Sequence, residues 1–356
     1  MTWRWACLNE RRFLIEGFRE VLNNVQETPS KFKQWQYTLE ESLYIHEEHE
    51  EFSEEDSRRE AELDLEKKPF EINPLPDVED VVPIVAVDAS AIPLGETDKG
   101  IVAAVRTAMV KMENGEIKPP EVFGPYLLHI TPTTIEPIYN ALCKALGLGR
   151  RKPPPLYRAV NRIMVLLERV AQRYANKQIE DGIILWDGSL TVSRTTPKDV
   201  FIESFRQARE RGNSIMAIVK RSYLRLLDGT PLIDLLAKEQ GPCYCRIPLT
   251  DVSIKHKRFL LGEVFVAKFT STGFPFRVDI KPASGDAVEV LAKLRKSSSF
   301  RWGYPEPLVV AHAHSYFTSV EALSLQMLAI KKYGLSTIPC FDLRTHILGP
   351  FGGMGV

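Results

Sequence analysis

The sequence predicts an α/β protein, a mixed β-sheet with helices packed on it. Three observations support this. Two short β-branched runs, VVPIVAVDAS and GIILWDGSL, each stop at an aspartate, Asp88 and Asp187. They are too short for core helices and read as buried strands. A region rich in hairpin signals comes first, and helical and strand-like segments alternate after it, the pattern of helices layered on a sheet.

In chain order, FLIEGFREVLNNV places Phe13, Leu14, Phe18, Val21 and Leu22 on one helical stripe. An acidic stretch from Glu40 to Glu71 follows, with sparse apolar residues at Leu43, Phe52, Leu63 and Leu65. Residues 1–75 are therefore expected to form a peripheral helical and acidic arm, and 76–356 the main domain. Pro69, Pro74 and Pro76 mark the linker.

The main domain opens with the strand ending at Asp88. GIVAAVRTAMVKMENGEI reads as a second strand with a turn at Glu113, Asn114 and Gly115, and GPYLLHIT as a third strand. TIEPIYNALCKALGLG is a helix with a glycine stop. RRKPPP breaks the chain before LYRAVNRIMVLLERVAQRYANK, the strongest helix. The strand ending at Asp187 comes next, then a helix over Lys198–Arg211, a strand over Ser214–Lys220 and a short helix near Leu232–Ala237. GEVFVAKF and FPFRVDIK form a hairpin through Ser271, Thr272 and Gly273, and two further helices cover DAVEVLAKLRK and SVEALSLQMLAIKKYG.

Hydrophobic residues make up 44%, enough for a substantial core, and 46 basic residues balance 46 acidic ones. With so much acid between Glu40 and Glu71, the remainder is net basic, which suits an anionic partner. The five cysteines are scattered, and CYC at Cys243–Cys245 lacks zinc-knuckle spacing. Reduced core or loop thiols are expected. MTWRWACLNERR has no apolar leader segment, and no run approaches a membrane span. A soluble, cytoplasmic protein is expected.

Two carboxylates at the carboxyl ends of buried strands need a partner to offset their desolvation. If the strands are neighbours, both reach one metal ion. Glu168, with Met164, Val165 and Ala171 around it at helical spacing, is a third candidate; it reads equally as a stripe-edge residue paired with Arg169 or Gln172. His312 and His314 in AHAH would point to opposite faces of a strand, so one at most faces a shared site. The proline-bracketed GYPEPL before them fixes the approach of the chain. Lys220 ends its strand either as a surface lysine or within reach of a phosphate. Arg150, Arg151, Lys152, Arg221, Arg225, Lys255, Lys257, Arg258, Lys293, Arg295, Lys296 and Arg301 are candidate backbone-contacting charges, though most charge runs are solvated faces. Tyr157, Tyr223, Phe259, Phe300, Trp302 and Tyr304 stand near some of them, and base stacking beside a positive groove holds single strands without reading sequence. Three acids and an imidazole suit two Mg²⁺ or Mn²⁺ ions acting in phosphodiester hydrolysis, and the histidine favours Mn²⁺.

Together these residues resemble the NurA nuclease family. VDAS at Asp88, Glu168 in LLER, WDGS at Asp187, VKRS at Lys220 and YPEPLVVAH from Tyr304 to His312 follow the family's order over about residues 80–330. Ala89 departs from the glycine expected there. The resemblance implies an RNase H-like fold, a homodimer, and Mn²⁺-dependent 5′-to-3′ exonuclease and single-strand endonuclease activity in DNA end resection. It implies DNA, single-stranded and at duplex ends, and a HerA-type hexameric ATPase translocase as partners. By carry-over, Asp88, Glu168, Asp187 and His312 would be metal ligands, Tyr304 would shape the site and Lys220 would contact phosphate. Two other classes remain: a non-catalytic adaptor of a translocase that keeps the fold, and an actin-like ATPase, which would need a glycine-rich phosphate loop that AIP after Ser90 does not offer.

Overall fold

A computed structural model describes residues 10–25, 30–35, 70–192, 197–220, 222, 224–226, 229–248 and 260–337. The acidic stretch over 36–69 and the tail beyond 337 lie outside them.

The described residues begin with a helical segment whose last part is α1 (Phe18–Asn24). It continues through β1 (Lys31–Gln34), β2 (Ile72–Pro74), β3 (Ile84–Thr97), β4 (Ile101–Glu113), β5 (Glu116–Ile117) and β6 (Glu121–Ile130). Then come α2 (Ile135–Ala145), α3 (Leu156–Ala175), β7 (Ile183–Asp187), α4 (Lys198–Arg209) and β8 (Ser214–Val219). The remainder is β9 (Cys243–Ile247), β10 (Glu263–Lys268), β11 (Phe276–Lys281), α5 (Ala287–Ser297), the small hairpin β12 (Phe300–Arg301) and β13 (Tyr304–Pro305), α6 (Glu306–Ser315), α7 (Ser319–Tyr333) and β14 (Ser336–Thr337).

Among the described residues, one 12-stranded mixed sheet runs β14-β1-β3-β7-β8-β11-β10-β9-β2, with β4 on β3 and both β5 and β6 on β4. Its centre is parallel: β3 pairs with β7, and β7 with β8. The flanks are antiparallel. The predicted α/β architecture with helices on the sheet is therefore the observed one.

Side-chain alternation divides the central strands between two cores. Val85, Val87, Ile184, Trp186, Ile215 and Ala217 pack under α2, α3 and α4. Ile84, Ala86, Ile183, Leu185, Met216 and Ile218 pack under α5 and α6. Both faces are covered, so these strands read as continuous apolar runs. The expected N-terminal stripe is also buried: Phe13, Leu14, Phe18 and Leu22 join the first core, and the Phe18 ring meets Tyr126 edge-on at 5.0 Å.

Four expectations need correction. The strand of Asp88 does not end there. It runs 14 residues to Thr97, because β4 keeps pairing with it after β7 has left. Residues 31–34 form a strand rather than a helix, and Phe32 is fully buried. AHAH lies in helix α6, not in a strand; Pro307 in its first turn suits a helix start. Pro74, read as part of a linker, lies in edge strand β2, which pairs with β9, the strand of the CYC segment. Cys143, Cys243 and Cys245 are free and buried, as expected for reduced thiols. No described helix is long and apolar enough to cross a membrane.

Candidate metal centre

The site forms where β3 and β7 part. Their parallel pairing runs from Ile84↔Ile183 to Val87↔Trp186 and stops. The next residues are Asp88 and Asp187. By alternation, Asp88 follows Ile84 and Ala86, and Asp187 follows Ile183 and Leu185, so both carboxylates turn to the face covered by α6. Lys220 follows Met216 and Ile218 in the same way.

Helix α6 brings His312 to meet them. His312 Nδ1 lies 2.9 Å from Asp88 Oδ2. Ser315, one turn on, donates to the same oxygen at 2.7 Å, and its hydroxyl is 3.1 Å from that of Ser90. Lys220 Nζ is 2.8 Å from Asp187 Oδ2. Asp88, Asp187 and His312 each offer a ligand atom within 4.8 Å of the others. His314 is exposed on another side of the helix; positions i and i+2 diverge on a helix as well, so only one histidine enters the site.

The electrostatics separate the two aspartates. Burial pushes the Asp88 carboxyl up, but the His312 hydrogen bond, the His312 and Lys220 charges and Ser315 outweigh it and hold it below its usual value. Asp187 is pushed up by burial, against Lys220 and with the repulsion of Asp88. His312 is raised, chiefly by its hydrogen bond to Asp88.

Glu168 stands apart from this trio. Its helix α3 belongs to the core on the opposite face of the sheet. The side chain accepts a hydrogen bond from Gln172 Nε2 at 3.1 Å, and Gln172 Oε1 in turn accepts from Arg169 at 2.6 Å. The partner reading thus holds in geometry. Glu168 also feels the site: burial, with repulsion from Asp88 and Asp187, raises its carboxyl to about 8. Tyr304 packs beside Phe276 with ring centroids 5.4 Å apart, and Lys220 Nζ is 5.8 Å from its ring. The Tyr304 hydroxyl is buried without a hydrogen bond of ordinary geometry. Burial, the charges of Asp187 and Asp88 and the nearness of Asp187 lift it well above the usual phenol value.

The loop after Asp187 is held from beneath. Gly188 adopts φ +104°, a conformation glycine takes without strain. Leu190 N–H donates to Asp279 Oδ2 at 3.0 Å, and Arg277 bridges Asp279 at 2.8 Å and Thr191 Oγ1 at 3.2 Å. Ala89, in place of glycine, sits in extended β3 opposite Thr107, where alanine fits.

Sequence reasoning missed Ser315 and the Arg277–Asp279 pair. Ser315 was discoverable once AHAHS is read as helical, since i and i+3 share a face. The Arg277–Asp279 pair carries no sequence signal, because FRVDIK looks like an ordinary amphipathic strand.

No protein-family model and no curated protein matches this sequence. Among solved structures, the chain is similar to the NurA nuclease from Sulfolobus solfataricus, with 16% identity and a TM-score of 0.50 over 84% of this chain and 98% of that one. NurA bound to dAMP and manganese aligns over 77% of this chain and 90% of its own, with 11% identity and a TM-score of 0.41. The endonuclease V of Bacillus subtilis aligns over 73% and 88%, with 14% identity and a TM-score of 0.35. At such identities a likeness is one of fold, and of these three the Sulfolobus comparison is close enough to carry it: over most of its length, this chain has a NurA-like fold.

Proposed function

We propose that this protein is a metal-dependent DNA nuclease of the NurA type, hydrolysing phosphodiester bonds. The observation that carries the reading is the convergence of Asp88, Asp187 and His312 within 4.8 Å at the parting of two parallel strands. The fold shared with the Sulfolobus nuclease supports it.

The donor set fits a divalent cation. Two carboxylate oxygens and an imidazole suit Mn²⁺, with Mg²⁺ the harder alternative. Each carboxylate already has a basic partner, His312 on Asp88 and Lys220 on Asp187. Burial, with the repulsion of neighbouring carboxylates, raises both Glu168 and Asp187, a cost that a bound cation would offset. Asp88, Asp187 and His312 would hold the ion, and Glu168 is the remaining carboxylate for the two-ion arrangement. A divalent cation supplies water activation and charge stabilisation at phosphorus.

The other residues act on the substrate. Lys220 reaches the centre from the end of β8 and is 41% exposed, so its ammonium is placed to meet a phosphate. Tyr304 stays protonated at neutral pH and presents a buried O–H beside Asp187, in reach of a phosphate oxygen bound there. The Gly188 turn and its Asp279 anchor keep the Asp187 backbone in place. We extend the reading to 5′-to-3′ exonuclease and single-strand endonuclease activity in DNA end resection, by a homodimer working with a HerA-type translocase.

The test is degradation of end-labelled single-stranded DNA with Mn²⁺, comparing wild type with Asp187→Ala. The reading requires a rate loss on the order of 10²-fold or more, the scale of losing a group that stabilises transition-state charge. Equal rates would overturn it.

A further inference from the structure

The hairpin that delivers Tyr304 to the site carries an unusual residue at its tip. β12 and β13 pair through Arg301↔Tyr304, leaving Trp302 and Gly303 as the two-residue turn. Both have positive φ, +54° and +87°. Such turns favour Asn-Gly or Asp-Gly, and a bulky residue in the left-handed region is a conformational outlier. Strain of this kind concentrates at functional positions. The Trp302 ring does not compensate by packing, since the residue is 69% exposed.

A second exposed aromatic is joined to it through the backbone. Phe274, 64% exposed, donates its N–H to Trp302 O at 2.9 Å. The two segments cross at glycines: a Cβ on Gly273 would lie 2.6 Å from Gly303 Cα. Only glycines allow this approach, and it ties two solvent-facing rings to one rigid crossing. Two residues further along each segment, Phe276 and Tyr304 pack together, and Tyr304 leads to Lys220 and Asp187. The Trp302 Cα is at most about 7 Å from that of Tyr304. The two exposed aromatics thus stand two residues along the chain from the pair that borders the candidate metal centre.

We propose that Trp302 and Phe274 form a stacking site for bases of single-stranded nucleic acid next to the scissile phosphate. The proposal rests on the nuclease reading. Aromatic faces beside a phosphate-binding centre hold single strands without reading sequence, and the neighbouring cations Arg301 and Lys220 suit a polyanion rather than an apolar protein segment.

The test uses the full chain and a labelled oligonucleotide, with binding measured in EDTA and cleavage in Mn²⁺. Trp302→Ala and Phe274→Ala should each weaken binding about 5- to 150-fold, the range for one lost base stack, while Trp302→Phe should keep most of the affinity. Trp302→Asn tolerates the left-handed backbone, so it separates loss of the ring from loss of the turn, and it should match Trp302→Ala. A single abasic residue beside the cut should weaken wild type by a similar factor and Trp302→Ala hardly further. Wild type that cleaves, with the aromatic variants equal to it in affinity and in abasic response, would overturn the stacking site alone and favour a protein-docking role for the two rings. Wild type that neither binds nor cleaves would overturn the nuclease reading and this proposal with it.

Discussion

His312 Nδ1 and Asp88 Oδ2 lie 2.9 Å apart although 224 positions separate the residues in the chain. Helix α6 and strand β3 meet at this contact, and it places a titrating imidazole directly on a candidate metal ligand. Because a ligating histidine must be neutral, binding of Mn²⁺ there has to displace a proton. His312 is raised above its ordinary value of 6.5. Mn²⁺ affinity should therefore rise with pH, by about tenfold per unit for each proton released, until the imidazole is neutral. Calorimetry in two buffers of different ionisation heat checks this; a pH-independent affinity with no proton release would contradict it.

Stability without metal should carry the signature of Glu168. Its pKa in the fold is about 8 against an ordinary 4.5. Below the ordinary value, folded and unfolded chains are both protonated and the group imposes no penalty. As pH rises from there towards 8, the unfolded chain ionises freely while the folded one resists, so stability falls, by at most about 1.4 kcal/mol per pH unit. Glu168→Gln should remove that slope. Urea unfolding in EDTA across this window measures it, and parallel profiles for the two proteins would contradict the assignment.

Much of this site was legible in the sequence. The aspartates and the lysine at the end of β8 were found from where apolar runs stop, because a charge at the end of a buried strand is costly and therefore noticeable, and His312 from AHAH behind its proline-bracketed approach. Five of the six candidates, Asp88, Asp187, His312, Lys220 and Tyr304, do meet on the α6 face. What could not be read was pairing. Asp88 looked like a strand end, but only its β7 partner ends there, and a strand's neighbours are set by residues far away in sequence. The histidines looked strand-borne because VVAHAH is short and β-branched; the two prolines before it fitted a helix start equally well. Glu168 was ambiguous for a physical reason: it does pair with Gln172, and it also lies within the field of the aspartates.

Gln172 has a directional role. Arginine only donates hydrogen bonds, so Arg169 fixes the Gln172 oxygen towards itself and its amino group towards Glu168. Gln172 is fully buried. Gln172→Leu leaves both neighbours unpaired and should cost roughly 1–3 kcal/mol, with weaker Mn²⁺ binding if Glu168 serves the metal. Thermal unfolding and a Mn²⁺ titration of the variant check both, and wild-type values in each would contradict the role.

The anchor beneath Asp187 is a buried ion pair, with Arg277 and Asp279 each 1% exposed. Removing one partner strands the other charge. Asp279→Ala should lose about 3–5 kcal/mol, and an Arg277→Met/Asp279→Leu double variant should regain much of it. Denaturant unfolding decides. A mild single variant, or a double variant worse than the single, would contradict the account.

The central claim is that one cation is held by Asp88, Asp187 and His312. The most direct measurement is anomalous diffraction from crystals soaked with Mn²⁺. The account predicts a peak bounded by these three side chains, with Lys220 moved off Asp187. A peak elsewhere, or none with Lys220 still on Asp187 and His312 on Asp88, would contradict it.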